Sequence, residues 1–135
     1  MATKSMRYDA PAYTVPLTVS KETVAGASAV GAKYVAFTTM LLKSATVMLT
    51  TTGTLTAAGN TNLTFKKLGT ATTSVGFVNL NPYGTATVNQ IGTNVTLTGT
   101  LTQGEMIAAT NGTDATFVTS VTYEFLIAPG ANVTA

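Results

Sequence analysis

Cysteine, histidine and tryptophan are all absent from the 135 residues, and charged side chains make up only 9% of them. Without Cys and His there is no Ser–His or Cys–His nucleophile, no thiolate and no ordinary zinc site. Without Cys there is no disulfide framework, so the fold does not lean on an oxidising compartment. A typical soluble domain carries about 25% charged residues, so the shortage of charge is large. Seven basic residues against five acidic ones leave a net charge of +2, and Lys66-Lys67 is the only adjacent basic pair. A nucleic-acid interface shows a basic stripe with stacking aromatics, so no nucleic-acid partner is expected, and protection of a strand edge by lysine accounts for the pair. Long apolar runs are missing too. The longest, residues 34–42, covers nine positions, where a membrane helix needs about 20. Lys4 and Arg7 are followed by Asp9, Pro11 and Pro16 rather than by an apolar stretch. Neither a signal peptide nor a membrane partner is expected, and the protein is expected to be made in the cytoplasm.

The five carboxylates are Asp9, Glu22, Glu105, Asp114 and Glu124. A glycosidase needs two of them facing each other about 5–10 Å apart. Glu105 and Glu124 are the pair that strand pairing could bring together, but Glu124 falls on a threonine-rich face where a solvated charge explains it. Ser20-Lys21 and Lys43-Ser44 are neighbours in sequence, and neighbours in a strand point to opposite faces, which argues against a Ser–Lys dyad. Residues 26–31, GASAVG, imitate a phosphate loop, but Ala32 stands where the motif needs lysine. Asn111-Gly112-Thr113-Asp114 supplies one carboxylate, too few for a calcium cage. No catalytic residue, cofactor or metal is expected. The four Asn-X-Thr matches at Asn62, Asn94, Asn111 and Asn132 are what a threonine-rich chain gives by chance.

What the chain has instead is hydrophobic residues at 45% and abundant threonine. That composition excludes disorder and suits a pleated sheet, because Thr is β-branched and polar without being charged. Val95, Leu97, Gly99 and Leu101 alternate with Thr96, Thr98, Thr100 and Thr102, and this period of two predicts a half-buried strand over 94–102. Residues 116–127 repeat the pattern, and further strands are expected at 34–42, 45–51, 62–68, 74–80, 85–91 and 105–110. Turn residues separate them: Ala58-Gly59-Asn60, Asn81-Pro82-Tyr83-Gly84, Gly92-Thr93-Asn94 and the hairpin signal Asn111-Gly112. Strands recurring every 8–12 residues predict an all-β, single-domain antiparallel β-sandwich or small barrel, jelly-roll-like, over 34–135. Residues 21–33 read as a loop or short helical turn. Residues 1–20, with two prolines and two tyrosines, read as an extended N-terminal arm, or else as an edge strand folded back on the domain.

The arm MATKSMRYDAPAYTVPL, the Thr/Gly/Ala/Val-rich TLTAAGNTNLTFKKLGTAT and the closing VTYEFLIAPGANVTA together resemble the decoration, or cement, proteins of tailed-bacteriophage heads. The resemblance is one of composition and layout over most of the chain. It implies a virion structural protein on the capsid surface, a homotrimer bound to the major capsid protein and bridging capsomers. The arm is the expected capsid-binding element, through Lys4, Arg7, Tyr8, Pro11, Tyr13, Val15 and Leu17, since Tyr and Arg are favoured at interface hot spots. Tail-tube or fibre proteins, and carbohydrate-binding host-attachment modules presenting Tyr34, Tyr83 and Tyr123, share the composition and stand as alternatives.

Overall fold

A computed structural model describes residues 15–26, 28–50, 53–54, 62–69, 71–80, 85–86, 92–112 and 118–127. The strands among them are β1 (Val15–Glu22), β2 (Val30–Val35), β3 (Met40–Leu49), β4 (Gly53–Thr54), β5 (Asn62–Leu68), β6 (Thr73–Asn79), β7 (Thr85–Ala86), β8 (Gly92–Thr96), β9 (Thr100–Leu101), β10 (Met106–Asn111) and β11 (Thr119–Ile127). They form two main antiparallel sheets in a sandwich. The first runs β1-β11-β3-β8, with β9 also on β3, and the second runs β2-β10-β5-β6. The short β4 and β7 pair separately.

Alternation builds the core. On β11, Thr119, Val121, Tyr123 and Phe125 are fully buried, while Ser120, Thr122, Glu124 and Leu126 face outward and are only partly covered. Leu63 and Phe65 of β5 and Ile107 and Ala109 of β10 answer them from the second sheet. Each large apolar side chain buried this way contributes about 1.5–3 kcal/mol. Tyr123 stacks on Phe125 and meets Phe65 edge-on, and Phe125 stacks on Tyr34 of β2 at 5.1 Å, so aromatic rings join the sheets. The Tyr123 hydroxyl crosses the core and donates to the Ala32 carbonyl at 2.8 Å. Burial pushes this phenol well above its ordinary pKa.

Bulges set which residues face inward. The β3–β11 ladder shifts register beside Lys43, so Met40 and Leu42 point inward and, one residue out of phase, so do Ala45, Val47 and Leu49. Residues 34–42 and 45–51 were expected to be two strands for this reason. The structure instead has one strand, Met40–Leu49, whose period slips at a bulge. In β2 the shift falls at Ala32-Lys33, and Ala32 takes a left-handed φ of 49°. A Cβ on Gly31 would lie 2.6 Å from the backbone nitrogen of Val24, which passes over it on the way from β1. Asn111 Nδ2 ties the same crossing down by donating to the Val24 carbonyl at 2.6 Å.

Several expectations are corrected. Of the two readings of residues 1–20, the edge strand holds from Val15 on: Val15–Glu22 form β1, paired with β11 and reaching two residues into the expected loop. Pro16 is tolerated there because an edge strand has one side without ladder partners. Within the expected loop at 21–33 the structure has the start of β2, hidden by small residues at its bulge. The single strand expected over 94–102 is split into β8 and β9 around Gly99, whose φ is 105°. Asn111-Gly112 closes no hairpin, because β10 pairs with β2 and β5 while β11 belongs to the other sheet. Gly92-Thr93-Asn94 lies within β8 on β3 rather than in a turn. The turns expected at 58–60 and 81–84 lie outside the described residues.

Two substitutions test this packing. Tyr123→Phe leaves the Ala32 carbonyl without its donor, and urea unfolding is expected to show a loss of about 1–2 kcal/mol with an unchanged m-value. Gly31→Ala drives a methyl into backbone and is expected to cost about 2–3 kcal/mol. Gly76→Ala, which meets the movable end of Leu97 at 2.9 Å and the Thr96 carbonyl oxygen at 3.4 Å, costs less in the same assay.

Candidate functional site

The two sheets present outer faces of different chemistry. On the first, register places Ser20, Thr122, Thr46 and Asn94 in one row across four strands. Ser20 Oγ and Thr122 Oγ1 are hydrogen-bonded at 2.8 Å, and Asn94 Nδ2 donates to Thr46 Oγ1 at 2.8 Å. The next row is Thr18, Glu124, Ser44 and Thr96. Here Lys43 Nζ lies 3.1 Å from Glu124 Oε1, and Ser44 Oγ donates to Glu124 Oε2 at 3.5 Å. Lys43 and Ser44 were expected to point apart. The bulge at this position lets both reach one carboxylate, a grouping that strict alternation could not reveal. Lys43 is half exposed and ion-paired.

The outer face of the second sheet is apolar at both ends with lysines across its middle. Val35, Met106 and Leu68 form one row, and Phe37, two residues beyond Val35, extends it. Ala108, Lys66 and Ser74 form the next, beside Lys33. Val30, Thr110, Thr64 and Phe77 complete the face. Phe37 is 61% exposed and Phe77 60%. Among the described residues no carboxylate lies on this face, and neither Lys33 nor Lys66 has an ion-pair partner.

Lys67 points the other way from Lys66, as its place in a strand requires. It reaches across one end of the sandwich, where Nζ donates to the Thr100 carbonyl at 3.3 Å and lies 3.6 Å from Glu105 Oε2. Glu105 closes a turn, its Oε2 accepting the Thr102 N–H at 2.8 Å. That backbone donor, aided by Lys67, holds the Glu105 carboxyl below the usual carboxylate range. Glu105 and Glu124 are thus held by separate lysines and form no facing pair.

Of the residues expected to bind a partner, Lys4, Arg7, Tyr8, Pro11 and Tyr13 lie outside the described residues. Val15 begins β1 and is exposed, whereas Leu17 packs against the core of its own chain. Among the tyrosines considered for sugar stacking, Tyr123 is fully buried, Tyr34 is half-buried against Phe125, and Tyr83 lies outside the described residues. The apolar face is the feature that sequence reading missed. Its members are spread over four strands and a connection, and only the register brings them together.

Compared with protein-family models and with curated proteins, the chain matches none.

The Glu105 turn sets a pH dependence. Its folded carboxyl titrates below the unfolded one, so its stabilising contribution is present above about pH 4.3 and is lost as pH falls through the lowered folded value. Urea midpoints of the parent chain and Glu105→Gln are expected to differ at pH 7 and to converge towards pH 3.

Proposed function

We propose that the chain is a structural protein of a virus particle: a decoration, or cement, protein that binds the outside of a tailed-phage head as a homotrimer and bridges neighbouring capsomers. The observation that carries this reading is the union of a disulfide-free sandwich with a broad, weakly charged surface. On that surface Val30, Val35, Phe37 and Phe77 are left facing solvent. Exposed apolar groups clustered on one face mark a protein contact, and the described residues offer polar hydroxyl rows rather than an enclosed set of reactive side chains.

The mechanism is added buried area at seams in the shell. A specific contact buries about 1,600 Å², and many repeats resist internal pressure even where each is modest. Selective binding to the expanded shell stabilises that state by mass action. Residues 1–14 supply the second grip. They precede the edge strand β1, span at most about 50 Å, and carry Lys4, Arg7, Tyr8, Pro11 and Tyr13.

The test is sedimentation of the purified full chain with expanded, DNA-free heads of the phage. Saturable binding in a fixed ratio to capsomers is expected, together with heads that withstand a higher temperature. Removing residues 1–14 leaves the β1 ladder intact, so the shortened chain is expected to keep its far-UV spectrum and lose head binding. A full chain that ignores heads, or that assembles alone into rings or tubes, would overturn the head-decoration reading.

A further inference from the structure

We infer that the outer face of the second sheet is the shell-contacting surface, and that its partner is an apolar protein surface carrying carboxylates. This inference rests on the decoration reading and names the partner's chemistry.

Three features lead to it. First, the face is built by the fold rather than by chance exposure. The bulge at Ala32-Lys33 turns Tyr34 into the core and leaves Lys33 and Val35 outside, in line with Lys66 and, farther across, Val30 and Phe77. Second, the face is broad. Four strands at ordinary spacing and about six residues of rise span roughly 300 Å² of sheet, with Val30 and Phe77 exposed towards one end and Val35 towards the other. Third, its charge selects the partner. Lys33 and Lys66 stand among apolar and hydroxyl side chains, with no carboxylate on the face among the described residues. Buried against a neutral surface they would lose hydration without compensation. Against carboxylates they gain complementary pairs that fix register.

The same charges disfavour two other occupants. A second copy docked face to face would oppose lysines to lysines, which costs free energy. An anionic membrane is recognised by clusters of about 4–8 basic residues, and two lysines on a flat sheet fall short of that. The first sheet also exposes Leu41 and Met48, but its central carboxylate Glu124 is already paired to Lys43, so it leaves no comparable pair of free cations.

The experiment again uses the full chain and expanded heads. Lys33→Glu/Lys66→Glu reverses the charge at exposed or half-exposed positions and is expected to weaken head binding about tenfold or more. Phe77→Ser is expected to act in the same direction. Thr46→Lys, on the first sheet, is expected to leave binding unchanged, and parent binding should weaken as salt rises from about 50 to 300 mM. Urea midpoints close to the parent's confirm that the variants fold. The inference is overturned if the charge-reversed chain binds heads like the parent, or if Thr46→Lys alone abolishes binding. It also falls if Phe77→Ser dissolves a dimer of the free chain, or if the parent floats with phosphatidylserine vesicles. If the parent itself fails to bind heads, the decoration reading falls as well, an outcome distinct from loss in the variants alone.

Discussion

The hydrogen bond from the Tyr123 hydroxyl to the Ala32 carbonyl joins the middle of one sheet to the least regular point of the other. Ala32 sits in a left-handed conformation that costs an L-residue about 1–2 kcal/mol, and it does so where β2 carries an extra residue. The phenol holds that irregularity in place, and the irregularity sets the phase of everything after it. Without the extra residue, Tyr34 would share a side with Val30, its ring would leave Phe125, and Lys33 and Val35 would turn inward. One buried donor therefore bears on both the aromatic contact between the sheets and the composition of the outer face.

Polarity without charge is the second organising feature. Rows of Ser, Thr and Asn run across the middle of the first sheet and hydrogen-bond across strands, between the exposed Leu41 and Met48, so the surface stays hydrated with little electrostatic repulsion between molecules. The few ion pairs have local duties. Lys67 with Glu105 spans one end of the sandwich, and Lys43 with Glu124 sits at the β3 bulge. Exposed pairs of this kind contribute about 0–1 kcal/mol each, so the fold depends on its apolar interior.

The fold class was legible in the sequence because alternation survives wherever a strand runs straight. Residues 62–68 were expected as a strand and form β5, while 74–80 and 105–110 differ from β6 and β10 by about one residue at each end. Reading failed where the period slips. The bulge beside Lys43 made one strand look like two, Gly99 divided a segment that looked continuous, and Pro16 left an arm and an edge strand as equal readings of residues 1–20. Pairing partners were illegible for a different reason. Asn111-Gly112 has the chemistry of a tight hairpin, yet Asn111 is occupied with the Val24 carbonyl, a contact 87 positions away in sequence. The candidate surface was hidden similarly, since Val30, Phe37, Lys66 and Phe77 become neighbours only through ladders among four strands.

The margins of the sandwich have a consequence of their own. β1 runs beside β2, and β6 lies against β8, with the Thr98 N–H donating to the Val75 carbonyl. Each sheet's outermost strands thus have a strand of the other sheet for company. Threonine-rich, weakly charged strands with open borders are templates for amyloid growth. Covering those borders lets a chain of this composition be crowded at high local density without its copies zipping together.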